Sequence, residues 1–264
     1  MEYQTILYAK EGHIAKITLN RPENLNAYTH LLLEEMLHAI NEVRQDDDIR
    51  VLVVTGAGRA FCSGADLSQA FEGFGHSRPL ASVMEMREGF HQMLISLRRL
   101  DKPTIAAING SAVAGGLSLA LVCDFRVASD KARIGEGSLR FGFVPDEGGA
   151  YLLPRIVGLE KALELILMRE ILDAGEAERI GLVGKVVPHE ELETFTHAMA
   201  LKIAEGPPVA SRLAKRAVYK QQDMDFVNAL EDIALAAQIV NEMEDVQEGV
   251  TAFFEKRKPV FKGK

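Results

Sequence analysis

The sequence predicts an α/β fold, in which strand–glycine loop–helix modules are followed by a helical C-terminal region. Three observations carry that expectation. A β-branched run at 49–55 leads into the glycine-rich GAGRAFCSGADL at 56–67. The same order recurs where TIAAI at 104–108 leads into NGSAVAGGLSLALVCD at 109–124. From residue 159 onward, apolar residues repeat with helical spacing almost without a break.

Taken in order, residues 3–8 and 13–19 alternate apolar and polar around Glu11-Gly12 and read as a β-hairpin. Asn20-Arg21-Pro22 ends it. Residues 29–44 have helical periodicity, with Thr29 placed to cap the first turn. The acidic QDDD turn then enters the buried strand 49–55, which completes a β-α-β unit. Residues 68–80, with Gly73, Gly75 and Pro79, read as a mobile loop lying over another part of the molecule or its surroundings, and 81–99 as a second long amphipathic helix. After Asp101-Lys102-Pro103 come the strand 104–108, the central stretch, and short strands at 124–129 and 131–134. Helices are expected at 159–168, 174–180, 189–204, 209–221, 226–241 and 243–256, with an extended link at 184–187. The shift in composition divides the chain into a core at 1–195 and a helical region at 196–264.

Two stretches bear on chemistry. In 109–124 the pair Gly115-Gly116 opens an apolar helix, where the first N–H groups lack intrahelical partners and no Cβ blocks approach to the backbone. That suits a carbonyl oxygen acquiring negative charge, and equally a helix packed closely for structural reasons. The loop 56–67 offers a second set of amides at the carboxyl end of a parallel strand, where ligands bind in such sheets. It has neither G-x-G-x-x-G nor a P-loop lysine, so a nucleotide cradle is disfavoured. Within FGFVPDEGGAYLLPRIVG, Asp146 and Glu147 stand beside paired glycines. They are either a helix cap or supply a carboxylate buried beside a ligand, with a raised pKa that suits it to acid–base work.

Composition excludes several classes. A net charge of −8 over 264 residues gives no basic footprint for nucleic acid. Two cysteines, Cys62 and Cys123, make no disulfide framework and have no metal-ligand spacing, so they read as buried small residues and no metal site is expected. Neither a signal segment nor a membrane span is apparent, and the expected location is cytoplasmic. His76 and His91 carry no assigned chemistry, and Asp124 and Arg126 read as a structural polar contact.

The order of NRPENLNA (20–27), VLVVTGAGRAFCSGADL (51–67), KPTIAAINGSAVAGGLSLALVCDFRVAS (102–129), FGFVPDEGGAYLLPRIVG (141–158) and FFEKRKPVFK (253–262) resembles the enoyl-CoA hydratase/isomerase (crotonase) family nearly end to end. The resemblance implies a crotonase-like spiral of ββα units, with C-terminal helices that assemble a homotrimer or a dimer of trimers. It implies an acyl-CoA thioester as substrate, with no separate cofactor, since coenzyme A is part of the substrate. The thioester oxygen would be held by the N–H groups of Ala65 and Gly115. Coenzyme A would contact Asn24, Leu25, Ala65, Asp66, Leu67, Phe253 and Lys256. Where relatives have a basic residue after NRP, this chain has Glu23.

A larger departure concerns the acids. The two glutamates by which hydratases of the family activate water correspond to Ser118 and Ser138, and a hydroxyl is not basic enough to replace them. Relatives that shift double bonds can instead place one acid before the paired glycines, which points to Glu147 first and Asp146 second. The expected reaction is therefore double-bond isomerisation with a single carboxylate. Two alternatives stand beside it: hydration with unconventional acids such as Glu136, and a non-catalytic acyl-CoA-binding or assembly protein.

Overall fold

The computed structural model describes residues 1–68, 83–84 and 86–264. The loop expected at 68–80 and the start of the helix expected at 81–99 fall almost wholly outside the described residues.

Strands alternate between two sheets, and this alternation builds the fold. One sheet contains β1 (Ile6–Glu11), β2 (Ile14–Leu19), β3 (Val51–Gly56), β5 (Thr104–Ile108), β7 (Phe125–Ser129) and β10 (Lys185–Val187), in the order β1-β2-β3-β5-β7-β10. Only β1 and β2 pair antiparallel; the other neighbours are parallel. A second sheet takes β4 (Ala60–Cys62), β6 (Ser111–Val113), β8 (Arg133–Gly135) and β9 (Ile171–Asp173) in that order. From β3 to β8, each five- or six-residue strand of the first sheet is followed by a three-residue strand of the second. The short strands β4, β6 and β9 were not expected, because three residues show no periodicity and two of the strands lie inside glycine-rich stretches.

The first hairpin begins at Ile6, three residues later than expected, because Gln4, Thr5 and Ile6 direct their N–H groups to the buried Glu35 carboxylate rather than to a strand. Helix α1 (His30–Gln45) starts as expected, with the Thr29 hydroxyl accepting from Leu32 N. Its buried face of Leu32, Leu33, Met36, Ala39, Ile40 and Val43 covers the sheet. The expected helix at 81–99 is seen as a wide π-helical turn at Arg87–His91 running into α2 (Gln92–Arg98).

Helix α3 (Gly115–Leu121) is buried along its whole length, and α4 (Gly149–Val157) and α5 (Leu159–Leu167) follow in the next turn of the spiral. Asp124 and Arg126 are structural: Asp124 accepts from Thr104 N, Thr104 Oγ1 and Tyr219 Oη, while Arg126 donates to the carbonyls of Cys123 and Leu182. Cys62 and Cys123 are free thiols buried in the core.

After α6 (Ala174–Arg179) and β10 comes α7 (Leu192–Ala204), whose Ala200 and Ala204 pack under the sheet with Val51, Val53 and Ile105. The boundary expected at 195 falls inside this helix. Elements carrying little buried surface begin only at α8 (Pro208–Gln221), α9 (Phe226–Asn241) and α10 (Glu244–Glu255).

One contact fixes how α3 sits on the second sheet. A Cβ on Gly116 would lie 1.9 Å from the Cys62 carbonyl oxygen, so helix backbone rests directly on strand backbone. Gly116→Ala must push α3 off β4, and we expect a loss of about 3 kcal/mol in urea unfolding, at the upper end for an overpacked core.

Candidate active site

Two loops from successive turns of the spiral meet at the carboxyl ends of β4 and β6, parallel neighbours in the second sheet. The loop after β4 is held by Tyr28, whose N–H donates to Gly64 O (2.9 Å) and whose carbonyl accepts from Asp66 N (3.0 Å). Because Gly64 and Asp66 face Tyr28, the intervening Ala65 turns its own N–H to the other side. Gly64 adopts φ +95°, and a Cβ there would lie 3.3 Å from Ala114 Cβ and 3.6 Å from Gly115 N. Ala114 itself has φ 52° and ψ −121°, a conformation costly for any residue with a Cβ. The strain reverses the chain immediately before α3. Gly115 opens that helix, so its N–H has no carbonyl within α3 to bond. The structure thus brings the backbones of 64–65 and 114–115 together.

Glu147 stands against this junction. A Cβ on Gly115 would lie 2.6 Å from Glu147 Oε1 and 2.7 Å from Tyr28 Cε1, so glycine is required for acid and phenol to occupy that space. The Glu147 side chain is 5% exposed, and Oε1 accepts a 2.5 Å hydrogen bond from Tyr28 Oη. Burial pushes its carboxyl up to about 7; the Tyr28 hydrogen bond opposes that rise, and the charges of Asp146 and Glu136 add to it. Burial, then the Glu147 charge, pushes the Tyr28 phenol far up, so it remains a donor. Asp146, by contrast, is exposed, and its carbonyl accepts from the His91 ring, which must carry hydrogen on Nε2. His76 lies outside the described residues.

The two serines differ. Ser118, one turn beyond Gly115, is fully buried, and its hydroxyl has no partner among the described residues. Ser138 donates to Glu136 Oε1 through both N (2.9 Å) and Oγ (2.5 Å). Glu136 is 1% exposed, and its Oε2 has no described partner; a Cβ on Gly149 would lie 2.8 Å from it. A second carboxylate therefore lies buried in the turn that carries Glu147. Alternation along a strand does not predict this, because β8 ends at Gly135 and a tight turn sets the direction of Glu136.

The expected coenzyme A contacts fall into two groups. Asn24, Leu25, Asp66 and Leu67 are brought together. Asp66 accepts from Ser68 Oγ (2.6 Å) and Arg21 Nη2 (2.9 Å), which hold its carboxyl below the usual range, and Asn24 Nδ2 approaches it at 3.4 Å. With its side chain so engaged, Asp66 has only backbone to offer a ligand. Phe253 and Lys256 are not brought to this site within one chain. The following tail is anchored by Lys258–Glu205 and by Arg50 to the Phe261 carbonyl, at the amino end of β3.

Sequence reading missed Tyr28 and Phe90. The π-helical turn directs Phe90 onto the Tyr28 ring, with centroids 4.3 Å apart, and the next residue, His91, onto the loop carrying Glu147. Widened turns of this kind are frequent at functional sites, but they leave no periodic signal. Among the described residues no group of His, Cys, Asp and Glu is arranged to hold a metal ion, and no helix is long and apolar enough to cross a membrane.

A spiral of strand–helix turns that brings two loop backbones together beside a buried acid defines the class of scaffold to which the chain belongs. The chain belongs to the enoyl-CoA hydratase/isomerase family, whose pattern matches residues 9–264. It is 37% identical over 261 residues to the short-chain-enoyl-CoA hydratase of Clostridium acetobutylicum, covering 98% of this chain and 97% of that protein. It is also 37% identical over 265 residues to the crotonyl-CoA hydratase of Syntrophomonas wolfei, covering 99% of each. The crystal structure of an enoyl-CoA hydratase from Bacillus anthracis superposes with a TM-score of 0.94 at 36% identity, covering 99% of this chain and 100% of that one. The fold is the crotonase fold, and the protein is an acyl-CoA enzyme of that family.

The Glu147 environment has a consequence for stability. Its carboxyl rises from 4.5 in the unfolded chain to about 7 in the folded one, so folding favours its protonated form. That favourable contribution is complete below about pH 4.5 and is lost as pH rises through 7. Glu147→Gln, neutral throughout, should therefore gain stability relative to the parent between pH 5 and pH 8. Paired melting curves at the two pH values measure the change.

Proposed function

We propose that this enzyme moves the double bond of an enoyl-CoA thioester, with Glu147 as the single acid–base group and the N–H groups of Ala65 and Gly115 as an oxyanion hole. The observation that carries this reading is the buried Glu147 carboxyl, held against Gly115 and poised near neutral pH. In the proposed reaction the thioester oxygen lies between the two amides. Ionised Glu147 removes a proton next to the carbonyl, and negative charge moves onto the oxygen. The protonated acid then returns the proton two carbons further along the chain. A group near 7 can do both, because it is neither too weak a base to accept the proton nor too weak an acid to release it. Ser118 and Ser138 support the reading, since neither can activate the water that hydration requires.

A second reading, hydration, is favoured by one observation. Glu136 supplies another buried carboxylate with a free oxygen, so a water held between Glu136 and Glu147 would have two acids. The relatives named as hydratases point the same way.

We also propose that the chain works as a homotrimer or a dimer of trimers. Support comes from exposed apolar side chains on α9, namely Phe226, Val227, Leu230, Leu235 and Ile239, and from Phe253 and Phe254 on α10. A role for Phe253 and Lys256 in coenzyme A binding would then be exercised on a neighbouring copy, and acyl-CoA would be the only ligand required.

Two measurements test these readings. With a 3-enoyl-CoA substrate, the conjugated thioester absorbance should grow, and Glu147→Gln should slow it about a thousandfold. Rapid loss of crotonyl-CoA absorbance that survives Glu147→Gln would overturn the isomerase reading. Light scattering after gel filtration should give the mass of three or six chains, and Leu230→Asp should lower it.

A further inference from the structure

Tyr28 is not among the residues by which the chain resembles its family, yet three kinds of contact converge on it. Its backbone pins Gly64 and Asp66, which sets the direction of the Ala65 N–H. Its ring lies on Phe90, tilted by 33° with centroids 4.3 Å apart. Its hydroxyl donates to Glu147 Oε1 at 2.5 Å. One residue therefore spans the proposed oxyanion hole and the proposed acid. The hydroxyl fixes only Oε1, which leaves Oε2 as the oxygen free to meet a substrate proton. A carboxyl otherwise rotates about its last bond with little preference. Packing against Phe90 in turn fixes the phenol.

We infer that Tyr28 is a positioning residue for the reaction: it holds Glu147 in its reactive orientation and aligns the Ala65 amide with it. The inference rests on Glu147 being the acid. A hydrogen bond donated to a carboxylate favours the ionised form, so Tyr28 opposes the effect of burial on Glu147. The other ionisable groups that act on or face Glu147 are Asp146 on its own loop, Glu136 after β8, and Cys62 at the end of β4. His91 reaches that loop only through the Asp146 carbonyl. None of these groups donates a hydrogen bond to Glu147, so among the described residues Tyr28 supplies that stabilisation.

Tyr28→Phe tests the inference while keeping the ring, its stack on Phe90 and both backbone bonds. We expect it to melt within a few degrees of the parent. With a 3-enoyl-CoA substrate, kcat should fall about tenfold or more and KM should change less than about threefold. The ascending limb of the pH–rate profile should move alkaline by about one pH unit, as for loss of one hydrogen bond to a charged group. A 13C titration of the glutamate carboxyls, with the Glu147 signal assigned by its absence in Glu147→Gln, reads the same displacement without turnover. An unchanged limb and an unchanged titration midpoint in Tyr28→Phe would overturn the inference, as would an acidic displacement. If Glu147→Gln retained full activity, the reading of Glu147 as the acid would fail instead. The two failures are thus separable.

Discussion

The site depends on backbone meeting backbone. Gly116 rests on the Cys62 carbonyl, and Gly64 faces Ala114 and Gly115, so two successive turns of the spiral touch without an intervening side chain. This closeness brings a loop amide and a helix-opening amide from about fifty residues apart into one place. Strain at Ala114 is part of the same arrangement, because the chain must reverse within one residue to present Gly115. The buried helix α3 and the short sheet β4-β6-β8-β9 hold that residue in a conformation it would not choose alone.

Around this junction the electrostatics are set by removing water rather than by adding charge. Glu147, Glu136 and Ser118 are all buried, and no cation among the described residues pairs with either carboxylate. Burial of Glu147 without a cation raises its basicity, whereas Asp66, bonded to Ser68 and Arg21, is driven the other way. Two carboxylates near the junction thereby differ: Asp66 binds loops together, while Glu147 has the basicity that the proposed proton transfer needs.

Much of this was legible in the residues. The modules at 51–67 and 104–121, the Thr29 cap and the C-terminal helices are written in periodicity and turn chemistry, and the structure has them within a few residues. Sequence reading places Glu147 ahead of Asp146, and the structure buries the first while leaving the second exposed. What periodicity does not encode is side-chain direction after a tight turn, which is why Glu136 stood behind Asp146. Nor does it encode a partner 119 residues away, which is how far Tyr28 stands from Glu147. The division at 195 falls within α7, which resembles the helices that follow it in sequence, while its small alanines let it pack under the sheet.

The seclusion of Glu147 bears on isotope bookkeeping. Glu147 is only 5% exposed, so a proton it accepted from substrate would reach bulk solvent only slowly. In the proposed reaction, the hydrogen leaving one carbon would then be largely the hydrogen arriving at the other, on the same face of the acyl chain. Product formed in heavy water would carry much less than one deuterium per turnover. The same burial that gives the acid its basicity would make the enzyme retain the label of its substrate.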